Sequence, residues 1–167
     1  MALRSANVTV MIQAVHKAAR PLVRDFGEVE NLQVSIKGPG DFVSAADRRA
    51  EQILRQELSR ARPGFGFLLE ETGAVSGEDR EHRWLVDPLD GTTNFLHGMP
   101  HFAISVGLER RGELIAGVVY DPIKDELFCA EKGGGAYLND RRLRVSSRRK
   151  MEEALVALFD AHRERFG

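Results

Sequence analysis

Hydrophobic residues recur at helical spacing from Val8 to Phe26, near the start of the chain. Their intervals of three and four residues predict an amphipathic helix. Ser5 or Asn7 could cap its first turn, and Gly27 could end it. Pro21 lies inside this stretch and removes one backbone hydrogen bond, so we expect a kink or a break just before it.

A second helical pattern follows a polar segment in which Gly38-Pro39-Gly40 predicts a loop. Ser44 and Asp47 have the spacing of a capping box, in which a serine and an acid three residues later close the first turn of a helix. The predicted helix ends before Pro63-Gly64. It would bury one apolar stripe, which comprises Ala50, Ile53, Leu54, Leu58 and Ala61.

From residue 65 onwards, short runs rich in β-forming residues replace the helical spacing. Turn-forming pairs such as Arg111-Gly112 and Asp121-Pro122 separate successive runs at hairpin distances, which predicts a largely antiparallel sheet. Two N-terminal helices packed on such a sheet define an α+β fold. The predicted strands are residues 65–69, 83–86, 102–109, 113–120, 126–130 and 136–138.

Composition gives a general class only. The 167 residues are 43% hydrophobic and 29% charged, as in an ordinary globular domain. The net charge of −1 favours neither nucleic acid nor an anionic membrane as a partner. The basic segment 141–150 lacks interleaved aromatic residues, so we expect a solvated face there.

Targeting signals are also missing from the sequence. No stretch approaches the ~20 apolar residues of a membrane-spanning helix, and the first 20 residues lack a continuous apolar segment of signal-peptide type. The single cysteine, Cys129, excludes an intrachain disulfide and is expected to be buried. We therefore expect a soluble, cytoplasmic protein.

The strongest chemical signal is the run Asp87-Pro88-Leu89-Asp90-Gly91-Thr92-Thr93-Asn94-Phe95, which follows a hydrophobic strand. The strand delivers Asp87 to its end, and a turn brings Asp90 to the same small volume. Pro88 fixes the backbone so that the Leu89 carbonyl can join the two carboxylates. An all-oxygen ligand set suits Mg²⁺ rather than zinc, and paired carboxylates repel unless a cation lies between them.

An anion site is predicted beside this metal site. Gly91 lets the backbone approach a ligand closely, and if Thr92 opens a short helix through Phe95, the free amides there would hold a phosphate oxygen. The alternative is a plain Asp-Pro turn capped by Asp90, but a turn does not require the whole run.

Two further acidic positions extend the predicted site. Glu70-Glu71 ends the first predicted strand, and because side chains alternate along a strand, we expect only Glu70 to face the site. Asp47 either completes the capping box of Ser44 or holds Thr92 or a metal-bound water in line for attack on phosphorus. The two roles of Asp47 are compatible.

From Val8 to about Val145 the sequence resembles the inositol monophosphatase family of Mg²⁺-dependent, lithium-sensitive phosphatases. The resemblance implies two or three Mg²⁺ ions in the complete family site and hydrolysis of inositol 1-phosphate, or of a related sugar or polyol phosphate, by attack of a metal-bound water. The supporting motifs, besides residues 87–95, are Glu70-Glu71, Asp41-Phe42-Val43-Ser44-Ala45-Ala46-Asp47 and Glu131-Lys132-Gly133-Gly134-Gly135-Ala136.

The same resemblance implies roles for individual residues. The implied metal ligands are Glu70, Asp87, Asp90 and the carbonyl of Leu89. The implied substrate contacts are Lys37, which resembles the lysine on a mobile loop, and Glu70, Leu89, Asp90, Gly91 and Thr92. The residues implied to activate water are Asp47, Thr92 and Glu70.

The residues after Gly91 help to choose a substrate class. Thr-Thr-Asn-Phe resembles inositol monophosphatases, whereas sulfonucleotide phosphatases more often have Thr-Lys-Glu-Phe, relatives of histidinol phosphatase Thr-Arg, and fructose bisphosphatases Ser-Ser-Asn. Those three substrate classes stay open as alternatives. A second acidic turn, Asp121-Pro122-Ile123-Lys124-Asp125, lacks the glycine and hydroxyl residues and is predicted to be a hairpin turn.

Family members continue into an α/β half with a Trp-Asp motif whose aspartate completes the second metal site. We therefore expect residues 1–150 to form a metal-binding and phosphate-binding α+β domain, and residues 151–167 to begin a missing C-terminal half with a strand at 154–159. Such a chain would bind metal weakly and turn over little substrate. A catalytically weak domain that acts by binding, as some relatives are thought to do with transcription machinery, is the alternative; a homodimer is common among relatives.

Overall fold

Two long helices cover one face of an eight-stranded sheet in the computed structural model, which describes residues 4–32 and 39–155 and, within them, no side chains at 30–32 and 39–44. Lys37 and the predicted strand beyond residue 155 lie outside the described residues. The helices are α1 (Ala6–Leu32), α2 (Pro39–Ala61) and a short α3 (Thr92–Leu96). None of the described helices is long and apolar enough to cross a membrane.

The sheet confirms the predicted α+β fold. Its strands are β1 (Phe65–Leu69), β2 (Gly73–Val75), β3 (Asp79–Asp90), β4 (Ala103–Arg110), β5 (Glu113–Asp121), β6 (Glu126–Glu131), β7 (Gly135–Leu138) and β8 (Arg141–Arg142). They lie in the order β2-β1-β3-β4-β5-β6-β7-β8, and every pair is antiparallel except β1 with β3. The short strands β2 and β8 and the parallel pair were not predicted.

Helix α1 is longer than its sequence pattern predicts. It begins after Ser5, whose hydroxyl accepts a hydrogen bond from the Val8 amide at 3.3 Å, so Ser5 caps it. It then continues through Pro21 and Gly27 to Leu32, so of the expected kink or break at Pro21 the break does not occur, and the expected end at Gly27 is wrong. Burial of the apolar stripe beyond these residues, down to Val29 at 1% exposure, offsets the local penalty of about 1 kcal/mol for glycine and 3 kcal/mol for proline.

Helix α2 begins at Pro39, five residues before the predicted capping box. Proline suits the first helical position because its missing amide hydrogen has no intrahelical acceptor there. The predictions of a loop at Pro39-Gly40 and of a helix start at Ser44 are therefore wrong, whereas the end before Pro63 is confirmed. As a consequence Asp47 lies inside the helix, beyond its first turn.

The core lies between the helices and the sheet. Trp84 on β3 is fully buried there, and Phe95 on α3 packs edge-on against Phe26 of α1 and Phe102 at ring-centroid distances of 5.4 and 5.0 Å. Cys129 is buried, as predicted. This packing fixes α3 and the end of β3, which together contain the motif 87–95, against both α1 and the sheet.

Candidate active site

The run from Asp87 to Asp90 forms a β-bulge. Asp87 pairs with Ser105 and Asp90 with Ala103, so β3 uses one residue more than β4 between these two points. The Asp87 carboxylate accepts a hydrogen bond from the Leu89 amide at 3.1 Å, which fixes its orientation. The predicted turn is thus a bulge within a continuous strand.

Gly91 connects this bulge to α3 with a conformation that other residues adopt only with strain. Its φ is +93°, and a Cβ atom there would lie 3.0 Å from the His101 carbonyl oxygen and 3.3 Å from the Phe102 Cα. Thr92 opens the short helix as predicted, and its hydroxyl donates to the Leu89 carbonyl at 2.9 Å. No side chain among the described residues caps this helix, and its first amides have no intrahelical partner.

Asp87 lies among other acids. Burial, hydrogen bonding to Glu70 and the negative charges of Glu70 and Asp90 raise the pKa of Asp87 well above its usual range. The structure therefore pairs Asp87 with Glu70, as the sequence predicted, and leaves Asp90 near enough for its charge to act on Asp87; both Glu70 and Asp90 are solvent-exposed. Like charges held this close make the site attractive to a cation.

Asp47 is a second unusual carboxylate. It is 4% exposed, and its Oδ1 atom has no hydrogen-bond partner in the part of the chain that the structure describes. Burial first, and then the charges of Glu71, Glu70 and Glu51, raise its pKa to about 7. Because α2 starts at Pro39, Asp47 lies beyond the first turn and does not complete a capping box there, while its predicted role in activating water stays a prediction.

Both residues of the Glu70-Glu71 pair approach an aspartate, although only Glu70 was expected to face the site. Glu71 interacts with Asp47, and Glu70 with Asp87. Strict alternation ends with β1 at Leu69, so the two following side chains are free to turn to the same region.

Glu51 is a neighbour that the sequence did not reveal. It is 4% exposed and accepts hydrogen bonds from the Glu71 amide at 3.0 Å and from the Thr72 hydroxyl at 2.8 Å. Its position four residues after Asp47 places both on one helix face, and that spacing was the only available signal.

These acids have no cationic partner within residues 4–32 and 39–155. Every ion pair of that part of the chain involves other acids. In the same residues no hydrogen bond joins Asp47 to Thr92, and no three His, Cys, Asp or Glu side chains already converge as a group that could hold a metal ion. The described site therefore consists of two carboxylate pairs, Glu70 with Asp87 and Asp47 with Glu71.

The donor chemistry nevertheless fits a hard cation such as Mg²⁺. All available donors are oxygen atoms, and the Asp47 Oδ1 is buried without a hydrogen-bond partner among the described residues. The Leu89 carbonyl accepts from the Thr92 hydroxyl, and a carbonyl oxygen has a second lone pair that could meet a cation. The second acidic turn, at residues 121–125, differs from this site. Its Asp121 carboxylate accepts hydrogen bonds from the amides of Ile123 and Lys124 in a hairpin turn, as predicted.

We expect the metal-free protein to lose stability as the pH rises from about 4 to about 7 through the titration of Asp47. The folded-state pKa of about 7 exceeds the ordinary value of 3.8, so the folded state binds more protons over this range and unfolding becomes easier as they leave. The Asp47→Asn variant removes this contribution, on the order of a few kcal/mol. Urea unfolding in EDTA across this pH range should give a shallower decline for Asp47→Asn than for wild type; parallel curves would contradict the expectation.

A family model and several known proteins match most of this chain. A family model described as "Inositol monophosphatase family" matches residues 4–165. The inositol-1-monophosphatase of Mesorhizobium japonicum is 65% identical over 153 residues, which cover 92% of this chain and 58% of that protein. The Nus factor SuhB of Pasteurella multocida is 38% identical over 144 residues, which cover 86% of this chain and 54% of that protein.

A solved structure agrees with these sequence matches. The extragenic suppressor protein SuhB from Bartonella henselae superposes with a TM-score of 0.80 at 58% identity, covering 89% of this chain and 57% of that one. The chain thus spans little more than half the length of the relatives it matches. The family match over nearly the whole chain, the shared fold and the acidic motif together establish that the chain belongs to the inositol monophosphatase family.

Proposed function

We propose that this chain forms the metal-binding and phosphate-binding part of a Mg²⁺-dependent phosphomonoesterase. The substrate would be inositol 1-phosphate or a related sugar or polyol phosphate. The observation that carries this proposal is the half-buried Asp87, held beside the exposed Glu70 and Asp90 just before Gly91 and the start of α3, with no cationic partner for these acids among the described residues. The name of the Mesorhizobium relative supports the same chemistry.

Four groups at the end of β3 and β1 would hold the metal: the carboxylates of Glu70, Asp87 and Asp90 and the Leu89 carbonyl. When bound, Mg²⁺ would shield the phosphoryl charge and lower the pKa of coordinated water. The hydrogen bond from the Leu89 amide holds the Asp87 carboxylate in a fixed direction before any ligand arrives. Asp90 is more exposed than Asp87 and would contact the substrate as well.

The phosphate would lie against Gly91 and the first amides of α3. Thr92 uses its hydroxyl hydrogen in the bond to the Leu89 carbonyl, so its oxygen is left to accept a hydrogen bond from the attacking water. Asp47 would take the proton from that water, and a pKa of about 7 suits a general base at neutral pH. Glu70 would assist from the metal side, and Lys37 would contact the substrate, as the family resemblance implies.

This assignment applies to residues 1–150 as the metal-binding and phosphate-binding domain, with 151–167 as the start of a C-terminal half. From its sequence features we propose that the chain lies in the cytoplasm, and from the resemblance that it forms a homodimer. A second candidate function is binding without turnover, because one relative is named a Nus factor. A transcription complex would then be the partner.

Phosphate release from inositol 1-phosphate tests the proposed reaction. We expect release that requires Mg²⁺, falls when Li⁺ is added, and drops by more than about 100-fold in Asp90→Asn, because a ligand is lost. The control is Asp140→Asn, since Asp140 is an exposed acid that pairs with Arg4 far from the site. Fructose 1,6-bisphosphate, histidinol phosphate and a sulfonucleotide, offered in parallel, test the alternative substrates.

Equal release by wild type and Asp90→Asn would overturn the enzymatic proposal. Metal binding by wild type without any phosphate release would favour the binding function instead. The two outcomes are separated by titrating the same preparations with Mg²⁺ in a calorimeter.

A further inference from the structure

We propose that Glu51 is a positioning residue, which ties helix α2 to the turn after β1 and so holds the two carboxylate pairs of the site in register. The inference rests on the proposed function, because it concerns the same metal site. Glu51 is not among the residues proposed to contact metal or substrate. Its role would be exerted through Glu71 and Thr72.

The contacts of Glu51 are divided between its two carboxylate oxygens. Oε2 accepts from the Glu71 amide at 3.0 Å, and Oε1 accepts from the Thr72 hydroxyl at 2.8 Å. Both donors belong to the turn between β1 and β2, directly after Glu70. A single side chain thus closes that turn from the helix side.

Burial makes this arrangement specific. Glu51 is 4% exposed and forms no ion pair with the described residues. These two hydrogen bonds must therefore compensate its carboxylate for the loss of contact with water. A buried carboxylate tolerates little displacement of its donors, because an unmade bond leaves the charge unsatisfied. The turn is therefore fixed relative to α2 more tightly than apolar packing would fix it.

The consequence for the site follows from the helix period. Asp47 lies four residues before Glu51, on the same helix face. The Glu51 bonds consequently fix Asp47 against Glu71, and with them Glu70 against Asp87. Without the two Glu51 hydrogen bonds, the turn after β1 could separate from α2. The two carboxylate pairs would then move apart with them.

Four variants test this role by calorimetric titration with Mn²⁺ alone. We expect Glu51→Ala to weaken binding by about 10- to 100-fold, the range found for residues that support metal ligands. Thr72→Val, which removes one donor, should weaken binding less, and Thr72→Ser, which keeps the hydroxyl, should restore it. The double variant Glu51→Ala/Thr72→Val should bind no more weakly than Glu51→Ala, because both changes break the same hydrogen bond between Thr72 and Glu51.

Two control variants separate positioning from general destabilisation. Glu57→Ala removes another acid of α2, one that pairs with Lys17 and Arg60 away from the site. Leu127→Ala destabilises the buried side of β6 without touching the turn. Both should bind Mn²⁺ like wild type at a temperature where all variants are folded.

Hydrolysis of inositol 1-phosphate gives a second readout. Activity lost in Glu51→Ala should return as the Mg²⁺ concentration is raised, because a displaced site still binds metal at higher concentration. Unchanged Mn²⁺ affinity in Glu51→Ala, or an equal loss in Leu127→Ala, overturns the inference and leaves the proposed function intact. A wild-type chain that binds no Mn²⁺ overturns both.

Discussion

Replacing Asp87 by asparagine is expected to make the metal-free protein more stable while abolishing its affinity for Mg²⁺. The carboxylate is held beside Glu70 and Asp90 with its pKa raised by burial and by their charges. An asparagine removes the repulsion, keeps an oxygen for the Leu89 amide and gives Glu70 a hydrogen-bond donor. We expect a gain on the order of 1–2 kcal/mol in the free energy of unfolding at pH 7.

The loss of metal binding should exceed 100-fold, because even residues that only support a ligand are worth about 10- to 100-fold. The matched control is Asp121→Asn at the second Asp-Pro turn, where the carboxylate is satisfied by the Ile123 and Lys124 amides and by the Lys124 ammonium. That change should destabilise the protein and leave metal binding unchanged. Urea unfolding in EDTA and calorimetry with Mg²⁺ measure the two quantities; destabilisation by Asp87→Asn would refute the repulsion argument.

Replacing Gly91 by alanine is expected to destabilise the protein by roughly 2–5 kcal/mol and to disrupt the predicted phosphate site. A left-handed conformation costs an alanine about 1–2 kcal/mol, and crowding adds about 1–3 kcal/mol. The crowding is with backbone, since the new Cβ would lie 3.0 Å from the His101 carbonyl oxygen. The strand and helix on either side would have to move.

Gly98→Ala provides the control for this prediction. Gly98 also has a positive φ, of 70°, but no atom lies within 4 Å of a Cβ built there. It should therefore show the conformational cost alone. Urea unfolding of both variants gives the difference, and equal losses would mean that the close approach at Gly91 contributes nothing.

The parts of the fold that the sequence predicted are those with a strong local period. Strand β1 has the predicted bounds, Phe65–Leu69, because its short apolar run is bounded by Pro63-Gly64 before it and by Glu70-Glu71 after it. The acids at the ends of β1 and β3 were predicted as neighbours from their places at strand ends, and the interaction of Glu70 with Asp87 agrees with this. Their role in a metal site stays a prediction.

The errors occurred where tertiary contacts outweigh local preference. No residue near Gly27 indicates that Val29, beyond it, is buried, so the predicted helix ends earlier than the real one. Strand β8 consists of two arginines, Arg141 and Arg142, which pair with β7 through backbone alone and have no apolar pattern. Strand β2 folds back along the outer edge of β1, so that β1 pairs in parallel with β3 on its other side. The turn residues do not specify on which side of β1 the next strands lie.

Site residues whose partners are backbone groups could not be predicted from the sequence either. Glu51 resembles any charged residue of a helix that also contains Arg48, Arg49 and Glu57. Its partners, the Glu71 amide and the Thr72 hydroxyl, lie in a turn whose path only the folded chain determines. The free Oδ1 of Asp47 is likewise a property of the packing.

The packing of α1 against the middle of the sheet has a consequence for biosynthesis. His16 of α1 packs against Tyr120 of β5 in a tilted arrangement with ring centroids 4.5 Å apart, and Phe26 contacts Phe102 at a centroid distance of 5.1 Å. On a ribosome the first helix must wait for about a hundred further residues before its partner strand is made, which takes roughly 5–20 s at typical elongation rates. During that interval the apolar stripe through Met11, Val15 and Leu22 has only α2 to cover it, so the nascent chain exposes a surface that chaperones of the translating cell can bind.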